Sequence, residues 1–255
     1  MISRFRPPFA TARPLRRTAA HRRMSRMRAV PSPEQKPERP RLIEVWDGPV
    51  RLFHWAAAAL VAALYATWRA NRMGWHVLAG DALLALVLFR LLWGLFGSET
   101  ARFSRFAASP RTALRHLGAL ARREPDTAVG HNPAGGWMVF ALLGLLLAEA
   151  LTGLYINNDV ADVGWFTEIM PAPIANAITD LHAILWNVIV VAVVLHLLAI
   201  LVYAVLKGQN LVGPMITGKK RLPAEVAAPR LASSLLALLL FAAAAAAAAL
   251  ISYSI

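Results

Sequence analysis

Five long apolar runs decide what this chain can fold into: 50–69 (VRLFHWAAAALVAALYATWR), 76–97 (HVLAGDALLALVLFRLLWGLFG), 136–156 (GWMVFALLGLLLAEALTGLYI), 180–206 (DLHAILWNVIVVAVVLHLLAILVYAVL) and 231–255 (LASSLLALLLFAAAAAAAALISYSI). Each is close to the ~20 residues a helix needs to cross ~30 Å of hydrocarbon. Inside lipid only helices and closed barrels satisfy their own backbone, and these runs are continuous rather than alternating. Composition agrees: 58% of the residues are hydrophobic and only 16% charged, against about a quarter charged in soluble domains. The expectation is an all-α membrane protein, a four-helix transmembrane bundle with a fifth C-terminal span.

The net charge of +13 does not indicate nucleic acid, because of where it sits. Residues 1–41 hold eleven Arg and one Lys against two Glu, with no apolar core and no signal-peptide h-region, so 1–43 reads as a disordered Arg-rich tail. The segment through Arg51, loop 98–135 and segment 207–230 carry 24 of the 27 basic residues. Loop 157–179, with Asp159, Asp162 and Glu168, has no Lys or Arg. The positive-inside rule then places the N-terminus in the cytoplasm of a bacterial inner-membrane protein. The domain reading is 1–43 tail, 44–221 four-helix bundle, and 222–255 linker and C-terminal helix. Within loop 98–135, segment 110–123 (PRTALRHLGALARR) reads as an amphipathic helix on the inner surface. The unbroken Ala run of the fifth span reads as a peripheral helix packed through small side chains.

The chain has no cysteine, so a bound metal centre leans on His or carboxylates. His21 lies in the tail and His116 on the basic surface helix; both read as solvated. His131 lies in GHNPAGG before the third span. The other four, His54, His76, His182 and His196, lie in or at the edge of spans. On the fourth span His182 and His196 are 14 residues apart, about 21 Å and nearly four full turns, so they share a face. His182 matches His76 in depth at the outer side, and His196 matches His54 at the inner side. Two stacked bis-histidine haems need this arrangement. Zinc, which wants four clustered ligands, fits two distant pairs poorly.

Other residues share these faces. Gly80 and Gly94 follow His76 on its side and leave room for a flat macrocycle or for close helix packing. Arg90, at inner depth, is placed to neutralise a propionate; Arg51 either does the same or snorkels. Trp186 and Val193 lie between His182 and His196. Asp81 is close enough to the outer interface to be solvated. Glu149, deeper, is a candidate proton or quinone residue; the loop at His131 and Asn132 is a second candidate, with His131 otherwise a capping or loop hydrogen-bonding residue.

Taken in order, VWDGPVRLFHW, WHVLAGDALLALVLFRLLWGLFGSETARFSRF, GHNPAGGWM, LHAILWNVIVVAVVLHLLAILVY and NLVGPMITGKKR resemble bacterial cytochrome b proteins of the b561 type, especially the cytochrome b subunit of nickel-dependent hydrogenases. The likeness covers about 44–221. It implies two b haems on His54, His76, His182 and His196, and electron exchange between membrane quinone and a periplasmic partner such as a hydrogenase, another dehydrogenase or a cytochrome c. The fifth span, the Arg-rich tail and Asp81 depart from that pattern.

Three functions compete. The first is an electron-transfer subunit rather than a self-contained enzyme. Its variant is a stand-alone quinone-linked oxidoreductase such as a superoxide oxidase. The second, from another class, is a haem-free proton-relay transporter, against which no span is broken by Pro. The third is a haem-free scaffold.

Overall fold

A computed structural model describes residues 39–118, 128–156 and 171–254. The tail 1–38, residues 119–127 of the basic loop and 157–170 of the acidic loop lie outside the described residues. In chain order the elements are β1 (Arg41–Glu44), α1 (Gly48–Arg69), α2 (Met73–Phe96), α3 (Phe103–Phe106), α4 (Pro110–Gly118), α5 (Pro133–Leu154), α6 (Ala172–Lys207), α7 (Val212–Thr217), β2 (Lys219–Leu222) and α8 (Ser234–Ser254). Five of them, α1, α2, α5, α6 and α8, are long and apolar enough to cross a membrane. The protein is a multi-pass membrane helical bundle.

Local sequence explains where the helices start and stop. Asp47 caps α1, its Oδ1 accepting from the Val50 amide at 2.7 Å, with Pro49 in the first turn. Asn132 caps α5 in the same way, accepting from the Gly135 amide at 2.8 Å ahead of Pro133. Side-chain oxygens at these positions satisfy amides that have no partner within the helix. Gly208 ends α6 and Gly218 ends α7, both left-handed, at φ 62° and 80°, a conformation glycine adopts without Cβ penalty. The fourth span begins eight residues before its apolar run, at Ala172, because Pro171 and Pro173 open a helix through the less apolar segment that follows.

A short antiparallel sheet closes one end, β1 against β2, with Arg41 opposite Leu222 and Glu44 opposite Lys219. Arg41–Ile43, expected to lie in the basic tail, are strand residues here. Their strand partner lies far along the chain, where no local pattern reveals it. The Gly218 carbonyl accepts from both the Val45 and Trp46 amides. Beneath this sheet a core gathers Val45, Trp46, Phe89, Trp93 and Leu222. We call this the basic end; the α1–α2 turn and the start of α6 mark the far end.

Helix α2 is central. It packs on α1, α5 and, most extensively, α8. Against α8, Leu84 and Ala85 meet Ala248 and Ala245, so the Ala run serves close approach of two backbones. Helix α6 packs on α5. Helices α1 and α6 instead meet through side chains: Tyr65 stacks on Trp186 with centroids 5.6 Å apart and planes 11° apart. His54 and His196 also meet across these two helices.

Candidate functional site

The structure brings His54 of α1 and His196 of α6 together near the basic end, ring centroids 6.4 Å apart and planes tilted by 53°. With metal–imidazole bonds of about 2 Å and about 1 Å from ring centre to nitrogen, two imidazoles on opposite sides of one metal ion have centroids about 6 Å apart. The pair is thus spaced to share one ion. His54 also meets Trp55 edge-on at 4.9 Å. Its Nδ1 is buried and has no hydrogen-bond partner among the described residues.

Toward the far end, His76 of α2 and His182 of α6 line one cavity of about 610 Å³, together with Gly80, Asp81, Glu149 and Trp186. The His76 Nδ1 lies 3.0 Å from the Leu64 carbonyl oxygen. A carbonyl can only accept, so Nδ1 carries the proton and Nε2 keeps its lone pair for a metal. His182 is set the same way, its Nδ1 3.1 Å from the Glu149 carbonyl oxygen and 3.0 Å from Thr152 Oγ1. Gly153 allows this approach: a Cβ there would lie 3.1 Å from His182 Cε1. The Glu149 side chain reaches His182 Nε2 at 3.4 Å through Oε1, while its buried Oε2 has no hydrogen-bond partner among the described residues.

The remaining predicted residues divide. Gly80 faces the cavity, and a Cβ there would meet nothing within 4 Å. Gly94 differs: a Cβ would lie 2.2 Å from the Phe103 ring, so its space is taken by α3 and not by a macrocycle. Arg90 is 2% exposed. One nitrogen donates to the Ala101 carbonyl at 3.3 Å, the guanidinium lies 5.1 Å from the Phe103 centroid, and Nη1 has no hydrogen-bond partner among the described residues. Arg51 donates to the Ile216 carbonyl at 2.7 Å, tying α1 to α7 instead of reaching between α1 and α6. His131 packs between Trp46 and Phe106, centroids 4.5 and 4.6 Å away. Burial, then the Arg90 guanidinium and His196, push its pKa down to about 3. Asn132, besides capping α5, donates to the Tyr203 hydroxyl at 2.7 Å.

Two contacts escaped the sequence reading. His116, expected to be solvated, has Nε2 2.7 Å from the hydroxyl of Tyr203, which is 5% exposed. The helical periodicity of α4 shows a basic amphipathic surface; nothing in it signals a tyrosine on α6. Asp81 accepts a 2.7 Å hydrogen bond from Ser252 on α8, so it is paired within the protein as well as near the far interface.

Among the described residues no three His, Asp or Glu converge on a metal position. An ion held between two of these imidazoles therefore takes its other ligands from a non-protein group. The fold is a bundle of membrane-length helices that present imidazoles from facing helices, the way bundle cores build cofactor sites. Comparison with known proteins makes the family plain. The profile of prokaryotic cytochrome b561 matches residues 45–218, and the chain belongs to that family. It is a membrane cytochrome b of electron transfer, and membership implies b-type haem.

Among curated proteins the chain is similar to the probable Ni/Fe-hydrogenase B-type cytochrome subunit of Rhizobium leguminosarum bv. viciae, at 26% identity over 213 residues, 70% of this chain and 88% of the relative. The subunits of the same description from Bradyrhizobium diazoefficiens (25% over 214 residues, 70% and 86%) and Cupriavidus necator (26% over 209 residues, 68% and 85%) are similar to it as well. No solved structure matches the chain.

Proposed function

We propose that this chain is a di-haem cytochrome b that passes electrons between a redox protein at one membrane face and the quinone pool. The observation that carries the reading is the 6.4 Å spacing of the His54 and His196 rings, with His76 and His182 on one cavity at the other depth. In this reading His54 and His196 hold the haem at the basic end, and His76 and His182 the haem at the far end. The bound haems supply a one-electron couple. The chain's own residues fix its setting: Leu64 and Glu149 carbonyls orient the far imidazoles. Gly80 leaves space, and the buried Arg90 offers a cationic nitrogen to an acidic group at the basic end. His182 Nε2, now 3.4 Å from Glu149 Oε1, would hold the haem, and Glu149 would remain a proton-carrying candidate beside the far pocket.

The basic face lies in the cytoplasm of a bacterial plasma membrane, in keeping with the distribution of Lys and Arg. The partner is a periplasmic redox protein. The relatives' description as Ni/Fe-hydrogenase B-type cytochrome subunits supports a hydrogenase in that place. The full chain, purified in detergent, tests the reading through a pyridine haemochrome count and a reduced-minus-oxidised spectrum. Two b haems per chain are expected, falling to one in His196→Ala. A well-folded, haem-free preparation would overturn the reading and return the proton-relay alternative.

A further inference from the structure

The fifth helix lies beyond the segment that matches the family, residues 45–218, yet it is fastened to α2 near both ends. At the basic end, the Glu99 amide donates to the Arg230 carbonyl at 2.9 Å, and the Arg230 amide to Glu99 Oε2 at 3.0 Å. The Ala232 amide donates to Ser98 Oγ at 2.9 Å. Along the middle, Leu84 and Ala85 pack on Ala248, which is 3% exposed. At the far end, Ser252 Oγ donates to Asp81 Oδ1 at 2.7 Å. Ser252 and Asp81 both line the cavity that also holds His76 and His182. A helix serving only as a lipid-facing buttress needs no polar side chain at that position. Here it places one on a carboxylate in the wall of the cofactor pocket.

We propose that α8 is a working part of the far pocket: Ser252 is a positioning residue that anchors the Asp81 carboxylate in the pocket wall, where its charge lowers the midpoint potential of the far haem. The proposal rests on the di-haem reading above. Its physical basis is electrostatic. A carboxylate accepting from a hydroxyl makes a strong, charge-assisted hydrogen bond that fixes its place. In a medium of low dielectric a fixed negative charge acts over several ångströms. It favours the ferric over the ferrous state, because the ferric site carries one more positive charge. Burial and nearby charge are among the protein's means of setting haem potentials.

The test is a redox titration of the full-length protein, followed optically, in wild type, Asp81→Asn, Ser252→Ala and Ser252→Thr. The titration component missing from His182→Ala identifies the far haem. Asp81→Asn is expected to raise the ferrous-to-ferric ratio of that haem up to about tenfold at the wild-type midpoint, which is about 59 mV for a one-electron couple. The other haem should not move. Ser252→Ala should shift the same component in the same direction by less, and Ser252→Thr, which keeps the donor, should titrate as wild type. Two haems per chain with an unchanged far component in Asp81→Asn would overturn the proposal and leave Asp81 as a helix tie only. If Asp81→Asn loses the far haem, Ser252→Ala decides, and an unshifted titration there overturns the proposal equally. Fewer than two haems in the wild type would instead sink the di-haem reading itself.

Discussion

Trp93 Nε1 donates a 2.9 Å hydrogen bond to Asp47 Oδ2, joining α2 to the cap of α1 across 46 positions of sequence. Trp93 is fully buried and Asp47 is 4% exposed. One carboxylate therefore caps the helix that carries His54 and satisfies an indole of the helix that carries His76.

Asp47→Ala removes both functions. The lost cap is expected to cost about 1 kcal/mol, and the stranded indole N–H about 1–3 kcal/mol more. Asp47→Asn keeps an acceptor for Val50 and should fall between wild type and Ala. Thermal unfolding in detergent measures the order, and equal stability of Asp47→Ala and wild type would show that the shared carboxylate does not hold the two helices.

Two glycines on one helix should respond oppositely to alanine. At Gly94 the new methyl would meet the Phe103 ring at 2.2 Å, and overpacking of this kind costs about 1–3 kcal/mol. At Gly80 nothing lies within 4 Å, so Gly80→Ala should leave the bundle's stability near wild type while narrowing the far cavity. The expected pattern is a lower melting temperature for Gly94→Ala with haem retained in the folded fraction. For Gly80→Ala the bundle is expected to stay stable and lose haem stoichiometry. Similar melting temperatures for the two would count against this division of labour.

His131 makes stability depend on pH. Its ring is held neutral, with a folded pKa of about 3, while in the unfolded chain a histidine titrates near about 6.5. Between those values the unfolded state binds more protons, so stability rises with pH across that window and is lost as pH falls. The contribution approaches about 1.4 kcal/mol per pH unit within the window. His131→Phe keeps an aromatic ring against Trp46 and Phe106 and should flatten this part of the profile between pH 6.5 and 4. Parallel wild-type and variant profiles would show that His131 does not titrate on unfolding.

Much of this architecture is legible without coordinates because a membrane-spanning helix satisfies its own backbone and needs only a long apolar run. The caps are legible only in part: the loop before the third span offers His131 as a capping residue, whereas its neighbour Asn132 caps the helix and His131 packs between Trp46 and Phe106. The helix starts are less legible. Ala172–Thr179 is helical although hydropathy there is low, because a helix that outruns the bilayer need not be apolar beyond it. Pairs are the least legible. Gly94 and Gly80 look alike on a helical wheel, yet one faces Phe103 and the other a cavity. Arg41 of β1 resembles the basic tail that precedes it until Lys219–Leu222 is placed alongside.

The sequence by itself determined that the chain carries five helices long and apolar enough to cross a membrane. Periodicity and hydropathy are properties of one segment at a time. Only the tertiary structure decided that the His54 and His196 rings stand 6.4 Å apart, that Tyr203 holds His116, and that the fifth helix reaches Asp81 through Ser252. Those contacts depend on how separate helices rotate and slide against one another. That is set by the summed packing of many side chains, Trp93, Phe103 and the α8 alanines among them, and no single segment encodes it.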